Sequence, residues 1–117
     1  MSRIVVVEKD RLMQRLLVEW LEADGYDVRA FSSCNDVAGA APDLVIADVH
    51  MPRQGGCDKL GGVRAVWPGT PTIAISAQFR GELPAPSATA RELGAVRVIA
   101  KPFARQTLLS AVRDLTR

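Results

Sequence analysis

The chain has 117 residues, 48% of them hydrophobic and 24% charged, and its 15 basic and 13 acidic side chains leave a net charge of +2. That length suits one domain, residues 1–117, with a sizeable core and no room for a second. No stretch approaches the roughly 20 apolar residues that span a bilayer, and the Lys and Arg residues are scattered, not striped, which argues against membrane insertion and against nucleic-acid binding by this chain.

Met1-Ser2-Arg3 running into Ile4-Val5-Val6-Val7 is too short for a signal peptide and reads as a first strand over Arg3 to Val7, so a cytoplasmic location is the expectation. Asp10 then offers an N-cap to a helix with Leu12, Leu16, Leu17, Trp20 and Leu21 as its apolar stripe, closed by Gly25. Asp27 to Phe31 is a second strand. Ser32 or Ser33 can cap a short helix near Asn35 to Ala40, which Pro42 ends before the run Leu44-Val45-Ile46-Ala47. That run is apolar without alternation, the pattern of a parallel strand buried on both faces, and Asp48 stands at its end.

Residues 49–56 carry a proline and two glycines and read as a loop. A weak helix over Cys57 to Val66 contains Gly61-Gly62, each costing about 1 kcal/mol relative to alanine. Thr72 to Ser76 is a fourth strand, residues 78–86 an irregular segment with Phe79 as a candidate partner contact, Ser87 to Leu93 a short helix, and Arg97 to Ala100 a fifth strand. Lys101-Pro102 leads into a last helix with Leu108, Leu109, Val112 and Leu115 on one face. Cys34 and Cys57 show no metal-ligand spacing and are expected to be reduced packing residues.

Five strands alternating with helices in so short a chain imply an α/β doubly wound parallel sheet, and strand order 2-1-3-4-5 is the common solution at this size. In such sheets chemistry collects beyond the carboxyl ends of the strands. Glu8, Lys9 and Asp10 follow strand one, Asp48 ends strand three, Ser76 ends strand four and Lys101 follows strand five, so four segments converge on one rim. A carboxylate there with a hydroxyl and an ammonium beside it suits nucleophilic attack on phosphorus. The carboxylate attacks, and the cations and donors share the oxygens of the transferred group.

These residues resemble the receiver domains of bacterial two-component response regulators, which are CheY-like. The likeness rests on Ile4-Val5-Val6-Val7-Glu8, on Asp43 to Asp48 followed by Met51-Pro52 and Gly56, on Ile75-Ser76-Ala77, and on Gly94-Ala95 leading to Lys101-Pro102-Phe103. The resemblance implies a flavodoxin-like fold and a phosphorelay role. Asp48 is then the phosphoacceptor, Ser76 the hydroxyl that binds and reports the phosphoryl group, and Lys101 the family's cation. A magnesium ion would be held by Glu8, Asp48 and the backbone carbonyl of His50. The implied partners are a histidine kinase or a histidine phosphotransfer protein as donor and another protein as output target. The chain would not be an enzyme beyond catalysing its own phosphorylation and dephosphorylation.

Two positions depart from the family pattern. Lys9 stands where an aspartate normally ligates the metal, and a lysine cannot ligate a hard cation; either Glu8 and Asp48 still hold magnesium weakly, or Lys9 replaces the metal. A solvated Lys9 is the plain alternative, as is Asp10 acting only as a helix cap. Val98 stands in strand five where the family commonly has Tyr or Phe, which puts the usual output route in doubt. Two other functions compete: a pseudo-receiver that binds proteins without phosphorylation, favoured by Lys9, and a phosphohydrolase of haloacid-dehalogenase type, disfavoured because His50 stands where those enzymes carry a second aspartate.

Overall fold

A computed structural model describes residues 2–33, 36–48, 58–76 and 95–116. Five strands, β1 (Arg3–Val7), β2 (Asp27–Phe31), β3 (Leu44–Asp48), β4 (Thr72–Ser76) and β5 (Arg97–Ala100), form one sheet in the order β2-β1-β3-β4-β5, all parallel. The described helices are α1 (Arg11–Ala23), α2 (Asp58–Val66) and α3 (Arg105–Thr116). The expected topology is therefore the observed one. The helix expected over Ser87 to Leu93, the segment 78–86 with Phe79, and both cysteines lie outside the described residues.

Every residue of β3 and β4 is buried, and the strand period of two divides their side chains between the two faces. Ile4, Val6, Leu44, Ile46, Ile73, Ile75 and Ile99 pack with Leu17 and Leu21 of α1 and with Leu108, Leu109 and Val112 of α3. On the opposite face Val5, Val7, Val45, Ala47 and Ala74 pack with Leu60 and Val63 of α2 and with Trp67. Each fully buried Leu, Ile or Val contributes roughly 1.5–3 kcal/mol relative to exposure, which fixes the register and with it the position of each strand end. Two ties hold α1 to α3. Arg113 forms a two-pronged ion pair with Asp24 at 3.0 and 2.8 Å, and the hydroxyls of Tyr26 and Thr116 lie 3.1 Å apart.

Helix α1 starts and stops as its sequence signals predict. Asp10 Oδ1 accepts from the backbone N–H of Leu12 at 2.9 Å and of Met13 at 3.2 Å. At the other end Gly25, at φ +96, supplies the left-handed turn that lets Gly25 N–H reach Glu22 O and Tyr26 N–H reach Leu21 O. The apolar stripe, however, is narrower than expected. Leu17 and Leu21 are buried with Met13 and Trp20 beside them, while Leu12 is 79% exposed and Leu16 lies at the margin. At 100° per residue Leu12 is about 140° around the helix from Leu17, which carries it off the core face.

A second expectation fails between β2 and β3. Of the short helix expected over Asn35 to Ala40, Asp36 takes part in a single tight turn and Val37 to Ala40 are irregular. Side chains satisfy the carbonyls here in place of helical amides: Arg29 donates to Ala38 O at 3.3 Å and Trp67 Nε1 to Gly39 O at 3.0 Å. Gly39 at φ +96 with Pro42 three residues on leaves no room for a helical turn. A cavity of about 180 Å³ results between Arg3, Asp27, Arg29 and Pro42, at the amino ends of the strands and away from Asp48.

Candidate functional site

The carboxyl ends of β1, β3, β4 and β5 bring the expected residues to one rim. β3 and β4 pair with Asp48 opposite Ile75, β4 and β5 pair with Ser76 opposite Ala100, and Lys101 N–H continues that ladder to Ser76 O at 3.0 Å. Lys101 is joined to Pro102 by a cis peptide bond. On the other side Glu8 N–H donates to Phe31 O at 3.0 Å, and Gln14 of α1 donates its amide to both Glu8 O and Phe31 O at 3.1 and 3.2 Å. Gln14 thus fixes the end of β1, a role that nothing in the sequence distinguishes from an ordinary polar residue on an amphipathic helix.

Lys101 is the hub of the site. Its Nζ lies 2.8 Å from Glu8 Oε1 and 3.1 Å from Asp48 Oδ1. Glu8 is 1% exposed, and its second oxygen accepts the backbone N–H of Asp10 at 3.1 Å, so both Glu8 oxygens are engaged. Among the described residues Asp48 Oδ2 makes no hydrogen bond or ion pair, and two of the three N–H donors of the ammonium are used there. Burial alone would lower the Lys101 pKa, but the bonds to Glu8 and Asp48 outweigh it and hold the ammonium above its ordinary value. Ser76 is buried at the end of β4, one strand from Asp48.

Lys9 is exposed and makes no ion pair among the described residues. Of the readings open for it, the solvated side chain is the one the structure adopts; the ammonium between the carboxylates belongs to Lys101. Asp10 is the helix cap. Val98 is half-buried against the core on the α2 face. His50, Met51, Pro52 and Gly56 lie outside the described residues.

Receiver domains generally bind magnesium at the phosphorylation site. The donors here fit a tightly held divalent cation poorly. Among the described residues Glu8 and Asp48 converge, Lys101 bridges the oxygens they turn toward each other, and no group of three or more His, Cys, Asp or Glu side chains could hold a metal. Magnesium accepts one or two carboxylates with several waters, but it would have to compete with the lysine for both.

Residues 4–113 match the response regulator receiver domain family, and the chain belongs to it. The chain is 32% identical over 120 residues to the transcriptional regulatory protein CpxR of Escherichia coli K12, covering 100% of this chain and 50% of that protein. It is 29% identical over 119 residues to the response regulator MprA of a Mycobacterium strain, covering 98% and 50%. It therefore spans about half the length of these curated relatives. The receiver domain of HemR from Leptospira biflexa superposes with a TM-score of 0.77 at 28% identity, covering 99% and 94% of the two chains. The chemotaxis protein CheY4 of Vibrio cholerae shares the fold, with a TM-score of 0.78 at 22% identity over 98% of each chain.

Proposed function

We propose that this receiver domain takes a phosphoryl group onto Asp48 from a phosphohistidine of a histidine kinase or phosphotransfer protein and passes the signal on by binding another protein in the cytoplasm. The observation that carries the reading is the Lys101 ammonium, 3.1 Å from Asp48 Oδ1 and tied to Glu8 at 2.8 Å. In this reading Oδ2, which has no partner among the described residues, attacks phosphorus while the donor's P–N bond breaks and the imidazole leaves. The unused N–H of Lys101 and the Ser76 hydroxyl take up charge on the transferred oxygens as it develops. The protein is consumed once per transfer and so is not a catalyst beyond its own phosphorylation and dephosphorylation. Magnesium, on the same reading, is held weakly by Glu8 and Asp48 with the His50 carbonyl, since Lys9 supplies no oxygen.

A pseudo-receiver working without phosphorylation is the second reading, favoured by Lys9. Purified protein with acetyl phosphate separates the two. A gain of one phosphoryl group by intact mass, absent in Asp48→Asn, supports the phosphoacceptor; no gain by folded wild-type protein in any buffer supports the pseudo-receiver.

A further inference from the structure

We infer that the outer edge of β2 is a docking surface for a second copy of this chain, whose own β2 adds antiparallel with Asp27 of each copy facing Arg29 of the other.

The edge is open. β2 pairs with β1 on one side alone, and Asp27, Arg29 and Ala30 are exposed. The connection to β3 packs over β1, where Val37 is buried in one cluster with Val5 and Val7. Two bonds fix which amides point outward: Asp27 N–H donates to Ser2 O, and Phe31 O accepts from Glu8 N–H, both at 3.0 Å. Alternate residues of a parallel strand bond to the same neighbour, so residues 27, 29 and 31 are paired to β1, and the N–H and C=O of Val28 and Ala30 point away from it. Such a row is a template for another strand, commonly blunted by Pro, Lys or a bulge. β2 has no Pro or Lys, and its register with β1 is continuous.

Charge then selects the partner and the register. Asp27 and Arg29 are two residues apart and so share one face of the sheet. The Asp27 carboxylate makes no ion pair among the described residues, although Arg3 stands beside it in the ladder. Arg29 reaches Ala38 O and Ala40 O through Nη2 alone, which leaves donors on Nη1 and Nε. A second β2 laid antiparallel about a twofold at Val28 sets each Asp27 opposite the other copy's Arg29, in the closely spaced positions where side chains meet. Val28 then exchanges both main-chain bonds with Val28 of the other copy. Tyr26 N–H is committed to Leu21 O, so the outer pair bonds through Ala30 N–H to Tyr26 O. Moving the twofold to Arg29 would set guanidinium against guanidinium, so the interface is self-complementary in the Val28 register. Because the two strands run in opposite directions, the Asp48 rims point to opposite ends of the dimer, and neither copy covers the other's site.

Sedimentation equilibrium of this chain at low salt tests the inference, from about 10 μM to about 1 mM, around a dissociation constant of about 0.1 mM, the weak range of a single strand pair. Wild type is expected to rise from monomer toward dimer mass across that range. Asp27→Arg and Arg29→Asp are each expected to stay monomeric, because each variant meets its own like charges. An equimolar mixture of the two is expected to regain the dimer, since every facing pair then carries opposite charges. Val28→Pro keeps both charges and the bonds of Arg29 and removes the outward N–H, which an edge strand tolerates. It is expected to fold as wild type by circular dichroism and to be monomeric. Wild type that is monomeric throughout overturns the inference. Dimer mass retained in Asp27→Arg or Val28→Pro puts the contact on another face and overturns it, as does a mixture of folded variants that stays monomeric. If Arg29→Asp loses its fold with the bonds to Ala38 and Ala40, Asp27→Arg and Val28→Pro decide the matter by themselves.

Discussion

Replacing Lys101 by methionine keeps an unbranched stem one atom shorter and removes the ammonium with its charge and N–H donors, so it tests what that group contributes. At an effective dielectric near 20, attractions at 2.8 and 3.1 Å amount to about 6 and about 5 kcal/mol before desolvation. Desolvation of the partners returns much of this, and removing one member of a buried pair costs about 3–5 kcal/mol, because the remaining charge is left uncompensated. Lys101 is 17% exposed, which places this case at the lower end, about 3 kcal/mol. For a chain of 117 residues that corresponds to a fall of about 12 °C in Tm. Urea denaturation near neutral pH is the assay. Lys9→Met, at an exposed position, should stay within about 0.5 kcal/mol of wild type. A loss for Lys101→Met below about 1 kcal/mol, the range of a surface pair, would refute the bridging role.

Two further expectations concern the helices. The two-pronged bond from Arg113 holds the Asp24 carboxyl below its ordinary value of 3.8. Its stabilisation is therefore complete above that value and lost as pH falls through the lowered one. Asp24→Asn should be less stable than wild type at neutral pH, with the gap closing in strong acid; a gap of constant size in urea melts across that range would rule out the ion pair as its source. Leu12, 79% exposed in the first turn of α1 beyond the site, should matter to a macromolecular donor only. Leu12→Glu is expected to slow transfer from a phosphohistidine protein about tenfold, about 1.4 kcal/mol, without changing labelling by acetyl phosphate; equal loss with both donors would place the effect in the site itself.

Much of this protein could be read from local pattern. The runs at β3 and β4 have no polar alternation, so their burial on both faces is visible in the sequence, and Asp10 and Gly25 mark the ends of α1 through backbone geometry that acts over a few residues. What was hidden depends on contacts between distant segments. Val37 to Ala40 fail to form a helix partly because Arg29 and Trp67 satisfy their carbonyls, and neither partner is adjacent in sequence. The convergence of Asp48, Ser76 and Lys101 could be anticipated from strand ends, but the engagement of both Glu8 oxygens could not. Nor could the solvation of Lys9, since a lysine stem reaches inward or outward with equal ease.

The bond from Lys101 to Glu8 joins residues 93 positions apart. Such a contact cannot form until nearly the whole chain has been gathered, because the entropy of closing so large a loop must be met first. It is therefore expected to form after β1, β3 and β4 have assembled, which a φ-value near zero for Lys101→Met would check. Interactions absent from the folding transition state slow unfolding and leave the folding rate nearly unchanged. On that expectation the ammonium at the centre of the site is also a kinetic latch, and Lys101→Met should raise the unfolding arm of a denaturant chevron while leaving the folding arm nearly unchanged.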